Sequence, residues 1–137
     1  MYQQSSNMNI IGHGIDIVEI KDIKELIERS GEHFETRCFT ATECCAAGSD
    51  ANRIKYFAGR FAAKEAVLKA IGTGWSQGIA WTDIEIQRLP TGKPSVVLYS
   101  RCKEIATELG ITMWLLSISH TPSYAVASAI AVSSTPT

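Results

Sequence analysis

The segment "RFAAKEAVLKAIGTG", residues 60–74, decides how this chain is read. Alanines and large apolar side chains mark the end of an amphipathic helix, and "GTG" (72–74) marks its stop. Ile54, Phe57, Phe61, Leu68 and Ile71 recur at steps of three, four and seven, which predicts one long helix over 51–71 with a buried stripe. Glu65 falls beside that stripe, where an ionised carboxylate needs a partner to offset its desolvation. Spacing leaves two readings open: an i, i+4 ion pair with Lys69, or a metal ligand or general base. Arg60 and Lys64 stand one turn apart, Lys69 lies a further turn on, and Gly72 offers a free amide at the helix end. Cations around a carboxylate suit a polyphosphate.

A second carboxylate stands in "GHGID" (12–16). Two glycines just before an acid indicate backbone that approaches something closely. A dinucleotide fingerprint would need a third glycine where Ile17 stands and a helix opening there, so that reading fails. Asp16 alone reads equally as a turn or capping residue. If it meets Glu65, the pair suits a hard divalent cation such as Mg²⁺, which takes oxygen ligands and keeps waters and substrate phosphates. A third stretch, "SISHTPSY" (117–124), ends an apolar strand on His120, readable as a structural hydrogen bonder or as a phosphate contact.

The rest of the chain frames these stretches. With 137 residues and 45% hydrophobic composition, it matches one domain of roughly 100–200 residues. Net charge is -1, so no basic field points to nucleic acid. No run approaches the ~18 apolar residues of a membrane span. "MYQQSSNM" has neither a basic nor an apolar leader region, and Cys38, Cys44, Cys45 and Cys102 form no C-x-x-C pair. Reduced thiols in a cytoplasmic protein are expected.

Residues 1–9 read as a disordered lead-in in which Met8 is an alternative start, 10–132 as a single domain, and 133–137 as a tail. Alternation predicts strands at 10–20, 81–89, 95–99, 113–120 and 124–132, with "PTGK" (90–93) as a turn. Helices are expected at 21–31, stopped by Gly31, and at 102–110, stopped by Gly110. Thr40-x-x-Glu43 is a capping box opening a short helix, and His33 reads as a surface residue. The order predicts an α+β domain, a mainly antiparallel sheet packed with helices including one long central helix.

Taken together, "GHGIDIVEI", "FAGRFAAKEAVLKAIGTG" and "SISHTPSYAVA" resemble the signature segments of holo-[acyl-carrier-protein] synthase, the small bacterial type of 4′-phosphopantetheinyl transferase. "FTATE" and "TDIEI…TGKP" match as well, so the likeness runs from about Met8 to Ala131. The resemblance implies a homotrimer with active sites between subunits. It implies transfer of phosphopantetheine from coenzyme A to a serine of apo acyl carrier protein, in fatty acid biosynthesis, with release of adenosine 3′,5′-bisphosphate.

By the same resemblance, Asp16 and Glu65 hold Mg²⁺ and Lys69 contacts the phosphates. Arg60, Lys64 and His120 line the coenzyme site, and Gly92, Lys93 and Pro94 border the adenine. Glu65 or a metal-held water would take the serine proton. The family's carrier partners are acidic, so Lys21, Lys24, Arg29 and Arg37 form the expected docking face, unless they are an ordinary solvated helix face. The competing reading is a coenzyme-binding or scaffold protein without catalysis.

Overall fold

The computed structural model describes residues 6–136. Along the chain run β1 (Ser6–Glu19), α1 (Ile20–Ser30), α2 (Glu32–Cys38), α3 (Ala41–Ala46) and α4 (Asp50–Ile71). A single 3₁₀ turn (Trp81–Asp83), β2 (Ile84–Arg88), β3 (Pro94–Leu98), α5 (Ser100–Glu108), β4 (Met113–His120) and β5 (Tyr124–Pro136) follow. One antiparallel sheet has the order β1-β5-β4, and β2-β3 is a separate hairpin. The α+β class expected from the sequence is the class observed.

Local signals account for most boundaries. Gly31 ends α1 at φ 57° and its N–H bonds the Ile27 carbonyl. The capping box of α3 is formed in both directions between Thr40 and Glu43. Helix α2 was not anticipated from the sequence; it buries Phe34 and Cys38 beside Phe39 and Phe57, so its order comes from packing. Residues 6–9 are no lead-in, and 133–136 are no tail, because they pair with each other as the ends of β1 and β5. The same expectation for residues 1–5 and 137 lies outside the described residues.

Helix α4 departs from the amphipathic reading. From Phe57 to Ile71 it is buried nearly all round, with Ala58, Ala62, Ala63 and Ala66 fully enclosed. On one side lies the sheet, whose inner β5 face is Ala125, Ala127, Ala129 and Ala131. On the other side Ile23, Phe34 and Phe39 pack against Phe57 and Ala58. Strand β1 comes closest: a Cβ on Gly12 or Gly14 would stand 1.9 Å from the carbonyl oxygen of Ala70 or Ala66. These glycines let strand backbone rest on helix backbone.

Lys64 is fully buried. Its ammonium donates to Glu43 Oε1 at 2.7 Å, to the Cys38 carbonyl at 2.8 Å and to the Trp81 carbonyl at 3.2 Å. Glu43 accepts in turn from the Thr40 and Ile86 amides. The pair therefore ties α3, α4 and β2 together. Burial pushes the Lys64 ammonium below the ordinary lysine range, and Glu43 opposes that shift.

Two stability predictions follow from this packing. Gly14→Ala should lower stability by roughly 1–3 kcal/mol, because the obstacle is main chain that cannot turn aside, as urea unfolding would measure. Lys64→Met should lose about 3–5 kcal/mol by stranding the Glu43 carboxylate, and Lys64→Met with Glu43→Leu should recover a large part of it.

Candidate active site

The sequence-predicted residues fall into two groups on different sides of α4. The first is acidic. Asp16 shares the inner face of β1 with Gly12 and Gly14, so their close approach carries it to the helix. Lys69 Nζ reaches Asp16 Oδ1 at 3.0 Å and the Ile15 carbonyl at 3.0 Å. Lys69 thus pairs across to the strand, not along the helix to Glu65. The half-buried Glu65 accepts from the Trp75 indole N–H at 3.3 Å on Oε1. Burial pushes its carboxyl above the usual range; the indole N–H and Lys69 oppose this, and the charge of Asp16 adds to it.

Two carboxylates that raise each other's energy, with one partly desolvated, form a place where a cation is stabilised. Among the described residues no group of three or more His, Cys, Asp or Glu converges to hold a metal. A two-carboxylate donor set of this kind fits Mg²⁺, which fills its shell with waters and phosphate oxygens.

The second group is cationic. Arg60 is 3% exposed, its guanidinium carbon lies 4.1 Å from the centroid of the Tyr56 ring, and its buried Nε has no hydrogen-bond partner. Burial, and then the like charge of Arg88, push Arg60 below the ordinary arginine range, with Tyr56 opposing. A buried donor left without a partner is costly unless a ligand satisfies it. Arg60 and Arg88 border a hollow of about 560 Å³ that also touches Tyr56 and Gln87. They also line a cleft of about 180 Å³ with Gly92, Pro94, Ile118 and His120. His120 lies over Gly59, with Nε2 3.2 Å from the Lys55 carbonyl.

Three expected binding residues stand elsewhere. Lys64 spends its ammonium inside the protein and does not join the cleft. The Gly72 amide caps the Leu68 carbonyl at 2.9 Å, and Gly72 serves as the left-handed C-cap at φ 89°. Lys93 is exposed and outside the cleft lining, whereas its neighbours Gly92 and Pro94 belong to it.

Arg88, Tyr56 and Trp75 were missed. Tyr56 precedes Arg60 by one helical turn, a spacing that could have pointed to it. Arg88 shares the β2 face of Ile84 and Ile86 and pairs with Pro94, which only the hairpin register reveals.

The sequence model of the 4′-phosphopantetheinyl transferase superfamily matches residues 12–128. Holo-[acyl-carrier-protein] synthase of Koribacter versatilis is 47% identical over 121 residues, covering 88% of this chain and 97% of the relative. Among solved structures, holo-[acyl-carrier-protein] synthase of Neisseria meningitidis superposes with a TM-score of 0.83 at 33% identity, covering 90% of this chain and 98% of that one. The Bacillus anthracis enzyme, crystallised in complex with coenzyme A (3′,5′-ADP), gives 0.76 at 33% identity, covering 93% and 99%. With its glycine-seated aspartate, its helix-borne glutamate and its unsatisfied arginine inside that match, the chain belongs to the 4′-phosphopantetheinyl transferase superfamily, among relatives named holo-[acyl-carrier-protein] synthase.

Proposed function

We infer that this chain transfers the 4′-phosphopantetheine group from coenzyme A to a serine hydroxyl of apo acyl carrier protein, releasing adenosine 3′,5′-bisphosphate. The observation that carries the assignment of roles is the division of charge about α4. Asp16, Glu65 and Lys69 form one pole, and Arg60, Arg88 and His120 form the other.

Asp16 and Glu65 would hold Mg²⁺ at the first pole, and the ion, when bound, would supply Lewis-acid stabilisation of the phosphate charge. Lys69 stands beside Asp16, in reach of the same phosphates. The serine oxygen bonds to the β-phosphorus as the bond to adenosine bisphosphate breaks, and the serine proton leaves to a base. Glu65, or a water held by the ion, would be the base. At the second pole the Arg60 guanidinium gains the anionic partner it lacks, with Arg88 and His120 beside it and Gly92 and Pro94 bordering the adenine.

Five helix positions separate Arg60 from Glu65 and turn the side chain by about 140°. One protomer therefore presents its two poles on different sides, and a neighbouring copy brings them to one ligand. The outer face of the β1-β5-β4 sheet supports this reading. Ile15 (57% exposed), Ile17 (63%) and Leu115 (42%) lie there in the open, with Ser128 and the His13 that bonds it. Large apolar side chains exposed on one sheet face, edge strand included, suit an interface. A homotrimer is the assembly we propose, working in the cytoplasm.

Lys21, Lys24 and Arg29 are exposed on α1, which leaves β1 four residues after Asp16, and Arg37 is exposed on α2. They form the docking face for an acidic carrier protein, although Lys21 already lies 3.8 Å from Glu19. No helix among the described residues is long and apolar enough to cross a membrane.

Incubation with coenzyme A, MgCl₂ and apo acyl carrier protein should add one phosphopantetheine to the carrier, as read by mass spectrometry. Retention of coenzyme A without any mass gain would instead establish a non-catalytic binding protein. Arg60→Ala should raise KM for coenzyme A by about 10-fold or more, the worth of a charge-assisted bond. Ile17→Lys should convert the assembly to monomers in light scattering and abolish turnover together with it; an active monomer would sink the shared site.

A further inference from the structure

Trp75 follows the helix stop yet returns to α4. Its ring lies 3.8 Å from that of Trp81, centroid to centroid, and Trp81 stacks on Phe61 at 4.8 Å. Phe61 is one helical turn before Glu65, so this aromatic stack ends by delivering the indole N–H to Glu65 Oε1 at 3.3 Å. Positive φ at Gly72, Gly74, Gln77 and Gly78 bends the loop back, Ser76 Oγ donates to the Thr73 carbonyl, and Arg101 Nε holds the Gln77 carbonyl. Three rings and a pinned loop thus aim one neutral donor at one oxygen. No other described residue bonds the Glu65 side chain, which leaves Oε2 open.

We propose that Trp75 is the positioning residue of Glu65: its indole N–H holds Oε1 so that the carboxylate presents its other oxygen to the divalent cation. The inference rests on the metal reading above. An indole suits the task because it orients the carboxylate without bringing a positive charge that would repel the cation. A partly desolvated carboxylate without such a bond turns freely about its last torsion, and hydrogen bonds behind metal ligands commonly contribute 10- to 100-fold in affinity. Phenylalanine at this position keeps the stack and removes only the donor.

The chain has three tryptophans, so ¹⁵N-indole NMR gives three N–H signals. Trp81→Phe and Trp114→Phe assign the Trp75 signal by elimination, without altering Trp75. Added MgCl₂ should shift that signal in the wild-type protein and leave it unmoved in Glu65→Gln. Mn²⁺ uptake, read as loss of the free-ion EPR signal, should weaken about 10-fold in Trp75→Phe, while its urea midpoint stays near wild type. At saturating coenzyme A, kcat at fixed sub-saturating Mg²⁺ should fall similarly, with KM for coenzyme A unchanged. Wild-type Mn²⁺ affinity in Trp75→Phe, or an indole signal indifferent to MgCl₂ while Glu65→Gln abolishes uptake, would overturn the proposal and leave the metal reading intact. Absence of Mn²⁺ uptake by the wild-type protein would overturn both.

Discussion

The contact of β1 backbone on α4 backbone is the constraint on which the rest of the molecule depends. Gly12 and Gly14 leave no room for even a methyl group against the Ala70 and Ala66 carbonyls. Asp16 follows on the same strand face, so the strand–helix distance is also the distance at which Lys69 meets Asp16. The alanine face of β5 extends the same small-residue layer across the sheet. Larger side chains enter the core from β4, through Trp114, Leu116 and Ile118, and from β2 and α5, through Ile84, Ile86 and Ile105. Ile15 and Ile17 of β1 and Leu115 of β4 point the other way and are exposed.

Lys64 and Arg60 stand one turn apart on α4, both buried, and their environments differ. Lys64 has three acceptors, one of them the Glu43 carboxylate, so its charge is fully compensated within the chain. Arg60 has a Tyr56 ring face, a neighbouring arginine and an unpaired Nε. A folded chain tolerates such a group when the gain from ligand binding is selected for in place of stability. The saturated cation locks α3, α4 and β2, and the unsaturated one faces the cleft that those elements frame.

What could be read from the sequence was local. The 51–71 helix, the Thr40–Glu43 capping box, the Gly31 stop and the 90–93 turn depend on neighbours within a few residues, and each is present. The motif likeness correctly identified the family. What could not be read depends on distant partners. Ser6 to Asn9 look like a polar lead-in until β5 is there to pair with them. Lys64 looks like a ligand-binding cation until Glu43, far away in sequence, reaches it. The Gly72 amide looks free until the helix closes on it.

The sequence by itself determined the class of the domain, the long helix and the residue types from which an oxygen-rich, phosphate-directed site is built. Only the tertiary structure decided which of those residues work together. A helix distributes Arg60, Lys64, Glu65 and Lys69 around its circumference, so closeness along the chain says little about which cavity each one meets. The surroundings of α4 then sort them. A glycine-lined strand claims Lys69, a buried carboxylate claims Lys64, an indole claims Glu65, and Arg60 is left facing the cleft with a bond still to make.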